Sequence, residues 1–400
     1  MPQSMATMAP ILKEVYEGSL NEQLNNETYS YNRLLSKSNG IGTKPHGGQY
    51  VEFAIHTGRN SGIGARNELE ALPTAGKQSA KTATMNLKYQ YAGIELSGQT
   101  FELATKDYQT FANAVDLEMN RIKDDLAKDR NRQYFGSGNG RVATVTAVTG
   151  QDITFDTIQH IQDDEVLDIV IAATGVSHGT KVTVTAVNET TNVVTVSGTL
   201  SGVVAGDIAV RTGSWNREWT GLDAIVSDTS ALYGLDPATT RVWKSQKIAL
   251  NGSISEAVLK RMADRITRAG GKTTAIITTP GIERAYWQLL SASRRFVDPK
   301  TYAGGYTGVE FNAGSSGPIP ILTDIDAPAG KAYFLNEKEI NLYRPHGFKF
   351  MDRDGSMWKQ KTDAAGRYDA YLATLYEYSE LGTHRRNTHG VITGITEDAN

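Results

Sequence analysis

The chain lacks cysteine altogether, which excludes disulfides, thiol nucleophiles and cysteine-ligated zinc in one step and suits folding in a reducing cytoplasm. It also lacks an excess of charge: 41 lysines and arginines against 44 aspartates and glutamates leave a net charge of −3 over 400 residues. No overall field therefore draws it to nucleic acid or to a membrane surface. No apolar run approaches the roughly 20 residues of a membrane span, and the N-terminus has neither the basic start nor the apolar core of an export signal. The seven histidines are dispersed and suggest no metal site. With 39% apolar and 21% charged residues, the chain is one that buries a core, and its length allows about two to four domains.

The dominant feature is a helical stretch from Phe101 to Phe135. Ala104, Tyr108, Phe111, Val115, Met119, Ile122 and Leu126 recur at steps of three or four and put one narrow apolar stripe on one face. Thr100 stands where an N-cap belongs. Gly136, Gly138 and Gly140 supply the stop, because glycine readily takes the left-handed conformation that closes a helix. At 1.5 Å per residue such a helix runs roughly 45–50 Å, a strut across a flat domain.

Before it, residues 1–47 read as a polar N-terminal arm. Ile11, Leu12, Val15, Tyr16, Leu20 and Leu24 allow one short helix but no core, ahead of a loop at Gly40, Gly42, Pro45 and Gly47. In residues 48–98, two segments alternate with period two. Tyr50–His56 puts Val51, Phe53 and Ile55 on one face, and Thr84–Tyr91 does the same with Met85, Leu87, Tyr89 and Tyr91, which predicts paired antiparallel strands. The polar excursion between them, about 57–83, far exceeds a hairpin connection. It is either an unstructured surface loop or an arm reaching onto a neighbouring molecule.

After the helix, residues 137–216 become rich in valine, threonine and isoleucine. Thr144–Val148 (TVTAV) reappears as Thr183–Val187, each followed by a turn and a second strand. This predicts a small inserted all-β barrel or sandwich of about six strands, serving either to bind a carbohydrate or partner or as a stabilising surface domain. Residues 217–335 then alternate helices and strands. Ser253 to Glu256 reads as a capping box opening a helix closed by Gly270–Gly271; Thr274–Thr278 is a strand; Pro280 begins a second helix to about Leu290; strands follow at Ile319–Thr323 and Ala332–Leu335. That is an α/β domain. Residues 336–400 return to antiparallel strands: Ile340–Tyr343, a hairpin of Phe348–Met351 and Met357–Lys361 about Asp352–Ser356, and a long aromatic strand, Tyr368–Tyr378. The basic His384-Arg385-Arg386 precedes a polar tail. The fold class is α+β.

Motifs that would carry chemistry fail one by one. Ala269-Gly270-Gly271-Lys272-Thr273 lacks the first glycine of a phosphate loop, since Ile266 holds that position, and it follows a helix where the loop should precede one. Asp352 and Asp354 begin like a calcium loop, but glycine falls fourth instead of sixth and no glutamate closes it. His384 and His389 are five apart. Gly314-Ser315-Ser316-Gly317 has the wrong spacing for a nucleophile elbow. Trp215 and Trp219 fit packing at a domain junction better than ligand binding. No catalytic residue, cofactor or metal is indicated.

The order of parts resembles a known family: the major capsid proteins of tailed double-stranded DNA bacteriophages, of the Hong Kong ninety-seven type, a fold also used by encapsulin shells. The residues that carry the resemblance are the glycine-rich end of the long helix (Gly136–Gly140), the Gly-Leu segment Gly221-Leu222-Asp223-Ala224-Ile225, the stretch Gly317-Pro318-Ile319-Pro320-Ile321, and then Pro328-Ala329-Gly330 and Tyr333-Phe334-Leu335. The insert separates the first two. The resemblance implies a spine helix in a peripheral domain (99–136, returning at 336–400), an axial domain (217–335) and an extended loop within 48–98 that overlaps a neighbouring subunit. Arg59, Arg66, Glu68, Glu70, Lys77 and Lys81 would be the loop's inter-subunit contacts. Lys77 and Lys81 are eligible by position for the lysine–asparagine cross-link that some relatives form. It further implies self-assembly as pentamers and hexamers into a virion shell in the host cytoplasm. The partners implied are a separate scaffolding protein, a portal protein at one vertex, a decoration protein, and packaged DNA held without sequence reading. The competing readings are an encapsulin-type compartment and an enzyme built on 217–335.

Overall fold

The computed structural model describes residues 27–36, 42–44, 50–99, 112–198, 200–292, 300–301, 307–312, 317–352, 355–364 and 366–398. The expected arm helix, the Thr100 cap, the helical stretch 101–111, the loop serines 315–316 and Asp354 lie outside the described residues.

The first part of the chain holds α1 (Tyr29–Leu35), β1 (Gly42–Lys44), β2 (Tyr50–Gly58), β3 (Ser79–Asn86), β4 (Lys88–Ser97) and the long helix α2 (Ala112–Phe135). β2 and β3 form a two-stranded ribbon in which Val51 faces Met85 and Phe53 faces Ala83. The second predicted strand is divided: Leu87 separates β3 from β4, and β4 leaves to pair along its length with another strand. Met85 and Leu87 are buried as their alternation implies, but Tyr89 and Tyr91 lie beyond the break and are about half exposed. The loop is accordingly shorter than expected, 59–78, and Lys81 lies on a strand opposite Ile55.

Six strands then close a barrel: β5 (Arg141–Thr149), β6 (Asp152–Phe155), β7 (Val166–Val170), β8 (Ser177–Asn188), β9 (Val193–Ser197) and β10 (Ile208–Arg211), in the order 10-5-6-9-8-7. The sequence repeat is visible in the geometry. β5–β6 and β8–β9 are equivalent hairpins joined through β6–β9, each with its register slip at the same point of the repeat, Val145/Ala147 and Val184/Ala186. At each slip a threonine hydroxyl donates to a carbonyl of the partner strand: Thr146 to Thr154 and Thr185 to Thr195, both at 3.0 Å. The barrel's core is its own, built from Val142, Val145, Ile153, Phe155, Leu167, Ile169, Val182, Val184, Val194 and Val196. Its two connections to the body lie side by side, the Asn216 amide donating to the Asn139 carbonyl at 3.1 Å. Glycine is required there: a Cβ on Gly140, at φ +83°, would stand 2.6 Å from the Ser214 carbonyl oxygen.

The rest of the chain comprises α3 (Leu222–Ile225), β11 (Gln246–Ser253), α4 (Glu256–Arg268), β12 (Ala275–Thr278), α5 (Pro280–Ala292), β13 (Lys300–Thr301), β14 (Thr307–Asn312), β15 (Pro318–Thr323), β16 (Lys331–Leu335), β17 (Ile340–Tyr343), β18 (Lys349–Phe350), β19 (Lys359–Asp363), β20 (Gly366–Thr383) and β21 (Gly390–Thr396). A mixed seven-stranded sheet runs 11-21-16-12-15-14-13, with α4 and α5 contributing to one core against it. The expected capping box is absent: Ser253 ends β11, and Ser255 is the N-cap without a side-chain bond. The helix stop is as read. Gly270 is at φ +82°, its amide donates to Thr267 and that of Gly271 to Ile266, the double closure of a Schellman turn.

A second sheet is organised on the 18-residue β20, which pairs with β4, β17, β18 and β19. β18 and β19 do not form a hairpin with each other; both pair with β20, whose length offers each a separate stretch. The expected polar tail is not a tail either. β21 enters the seven-stranded sheet between β11 and β16 with Val391, Ile392 and Ile395 buried, and Gly390 is needed because a Cβ would meet the Met262 sulfur at 2.5 Å. A second core, including Tyr134, Phe135, Trp219, Leu222, Trp243, Ile277, Tyr333 and Leu342, joins the end of α2 to both sheets.

Because the barrel has a closed strand order and a private core, residues 141–212 expressed alone are expected to unfold cooperatively in urea. The remainder, closed by a short glycine linker, is expected to stay soluble. A non-cooperative isolated barrel would contradict this.

Candidate functional site

The last two turns of α2 break the amphipathic rule. Asp129, Arg130, Asn131, Arg132 and Gln133 are consecutive polar residues, and all are buried. Each is satisfied by a different part of the chain. The Arg130 guanidinium lies 4.1 Å from the Trp219 ring centroid and donates to Glu377 (3.0 Å), Ser379 (3.1 Å) and Gln133 (2.9 Å). Asn131 accepts the Tyr31 amide of α1 at 2.9 Å and donates to Asp324 and Asp326 in the turn after β15. Arg132 pairs with Asp129 and Glu218 and reaches the Arg141 carbonyl of the barrel. Arg211, the last barrel residue, pairs with Asp129 and Glu165. Burial alone would raise the Asp129 carboxyl, but the Arg132 and Arg211 charges hold it well below the usual carboxylate range. Arg33 of α1 makes a two-pronged pair with Glu337 at 2.6 and 3.0 Å. α1, the barrel and both sheets are thus fastened to the end of α2.

The loop 59–78 is the opposite. Ile63, Leu69 and Leu72, three large apolar side chains on one loop, are 87%, 100% and 85% exposed. The loop holds its own shape locally. Arg66 donates to the Ala65 and Ala71 carbonyls, and Glu70 accepts from the Asn67 amide and side chain, bonds that draw its carboxyl down. Arg59, Glu68 and Lys77 are exposed on the loop. Lys81 stands apart on β3, its ammonium donating to Thr240 at 2.7 Å.

A cleft of about 900 Å³ between α2, the barrel and Asp326 is lined by ion pairs and by His160, whose imidazole burial, with the Arg132 and Lys128 charges, pushes down to about 3. Among the described residues no three histidines or carboxylates group as metal ligands, and no helix is long and apolar enough to cross a membrane. His384 and Arg386 do not form a surface patch. The His384 ring packs edge-on to Phe53 at 4.7 Å, while Arg386 is wholly buried and donates to the Ala224, Ile225 and Ser230 carbonyls. His389 is buried too, bonded to Asn336 and Thr383 and pushed down by burial to about 3. Trp219 is core, its indole N–H donating to Ser379.

Two consequences are measurable. Arg130→Ala strands the Glu377 carboxylate in the core with Arg344 as its remaining cation, at 3.2 Å, and is expected to cost about 3–5 kcal/mol in urea unfolding; a loss under about 1 kcal/mol would contradict the role given to Arg130. Glu380 is also buried, with one carboxyl oxygen accepting the Thr220 amide and the other without a partner. Burial pushes its carboxyl up to about 7, so the folded state holds a proton that the unfolded state has released above its ordinary value near 4.5. Stability from this group is therefore full below about pH 4.5 and lost as pH rises through about 7. Glu380→Gln is expected to remove a decline on the order of 1–3 kcal/mol between pH 5 and 8; parallel pH profiles for variant and wild type would contradict it.

No protein-family model matches the chain, and no curated protein does. Solved structures do. A chain of the cyanophage A-1(L) capsid asymmetric unit is similar with a TM-score of 0.63 at 15% identity, over 99% of this chain and 100% of that one. A chain of the capsid of an empty GTA particle is similar at 0.52 and 11% identity, and one from Microbacterium phage Oxtober96 at 0.52 and 8%, each over 98% of both chains. At these identities it is the fold that is shared, and the chain therefore has, over nearly its whole length, the fold of phage capsid subunits.

Proposed function

We propose that the protein is the major capsid protein of a tailed double-stranded DNA bacteriophage, of the Hong Kong ninety-seven type, assembling as pentamers and hexamers into an icosahedral shell. The observation that carries this reading is the match over 99% of this chain and 100% of the cyanophage A-1(L) capsid chain. The whole subunit is alike, beyond any one sheet. In this reading α2 is the spine of the peripheral domain, with the β20 sheet beside it. The seven-stranded sheet with α4 and α5 is the axial domain, and β21 makes the C-terminal segment part of it. The barrel is an accessory domain. The loop 59–78 lies over a neighbouring subunit, where Ile63, Leu69 and Leu72 lose their exposure and Arg59, Arg66, Glu68, Glu70 and Lys77 make polar contacts. Lys77 keeps the position for a cross-link; Lys81, tied to Thr240, is less free to form one. A scaffolding protein, a portal and a decoration protein complete the particle.

Expressed with its assembly factors, the protein is expected to form closed shells tens of nanometres across in negative-stain micrographs, and particles from an infected host are expected to hold nuclease-protected double-stranded DNA. Subunits that stay monomeric under every co-expression condition would contradict the shell; shells filled with protein cargo in place of DNA would favour the encapsulin-type compartment.

A further inference from the structure

The net charge of −3 conceals a concentrated cationic face on the seven-stranded sheet's side of the molecule. The outer side of α4 presents Arg261, Arg265 and Arg268 at helical spacing, and Lys272 follows its Schellman turn. Beside them, Arg241 and Lys244 stand on the segment leading into β11. Two shallow clefts, of about 410 and 520 Å³, one lined by Arg241, Lys244 and Arg265 and the other by Arg261, Arg265 and Arg268, adjoin at Arg265, and Lys272 is exposed just beyond the end of the helix. Counter-charges on it are few and engaged: Asp264 with Lys260 at 3.1 Å, and Asp228 with Lys247 at 3.8 Å. Arg241, Lys244, Arg261, Arg268 and Lys272 have no ion-pair or hydrogen-bond partner among the described residues.

Unpaired like charges repel, so a surface that keeps them together is complementary to an anion supplied from outside. The nature of that anion follows from what the face lacks. Protein interfaces are anchored by buried aromatic or aliphatic groups, and Val242, 37% exposed, is the one large apolar side chain showing here among the described residues. A phosphate backbone needs no such anchor. Arg261 to Arg268 spans about 10 Å along the helix axis, about three base-pair steps of a duplex.

We propose that this face binds the phosphate backbone of double-stranded DNA without reading its sequence. The inference rests on the shell reading above.

The test is fluorescence-anisotropy titration of a 30-base-pair duplex with the unassembled full-length chain over a series of salt concentrations. The triple variant Arg261→Gln/Arg268→Gln/Lys272→Gln is expected to bind at least tenfold more weakly at low salt. The slope of log affinity against log salt is expected to be shallower by about one for each charge removed. The double variant Arg261→Lys/Arg268→Lys, which keeps the charge, is expected to retain the wild-type slope, and equal melting temperatures certify the fold of each. Identical slopes for the triple variant and wild type would overturn the proposal. So would poly-glutamate that binds this face more tightly than the duplex, which would assign it to an acidic protein partner. Shell formation by each variant, scored separately in micrographs, keeps the two readings apart: normal shells with unchanged DNA binding refute the DNA face alone, whereas failure of the wild type to form shells refutes the shell reading.

Discussion

The structure depends on one buried cation. Arg130, with no exposed surface, stands at the point where α2 meets the β20 sheet; each of its three guanidinium nitrogens donates, to Glu377, Gln133 and Ser379, and its face lies against Trp219. Burying a guanidinium costs several kcal/mol of lost hydration, which is recovered only when geometry and hydrogen bonding are close to complete. Well-packed apolar residues in place of a buried ion pair are often no less stable. What the polar arrangement adds is direction, since the hydrogen bonds of Asp129–Gln133 hold named partners in fixed orientations. The end of the helix therefore fixes at once where α1, the barrel, the turn at Asp324 and the long strand must lie.

That division of labour suits a shell subunit. A particle built from many copies needs a body that does not deform when neighbours are added and a small number of surfaces that do the joining. The polar hub, with the apolar core around Tyr134, Trp219 and Trp243, supplies the first. On the proposed reading, the loop 59–78, carried on a two-stranded ribbon and bearing nearly fully exposed leucines, is the second. The barrel enters and leaves through adjacent strands beside Gly140, so it adds to the subunit without interrupting the path from α2 to α3.

Much of the fold was legible in the residues. The glycine stop after Phe135, the Schellman stop at Gly270, the proline start of α5 and the threonine-valine repeat each rest on local conformational preference, which survives any tertiary context. The errors share a cause as well. Arg386 and His389 are polar, and polarity in a sequence reads as surface, yet these side chains, like those of Asp129–Gln133, are buried because hydrogen-bonding groups from elsewhere in the chain meet them. No spacing rule within the chain encodes those partners, several of which lie 100 to 249 positions away. Tyr89 and Tyr91 continue the alternation of β3, but the strand changes partners at Leu87 and their face becomes an outer one. The loop of the candidate site was visible as a long polar excursion; its leucines gained meaning only once they were seen to have nothing against them.

The central claim is that a rigid hub and an unsatisfied loop make this chain a building block of a shell. Amide hydrogen exchange followed by mass spectrometry, on the free subunit and on the assembled particle, tests it most directly. The account predicts slow exchange at 129–135 in both states and fast exchange at 59–78 in the free subunit that becomes slow on assembly. Fast exchange at 129–135 in the free subunit, or a loop whose exchange is the same in both states, would contradict it.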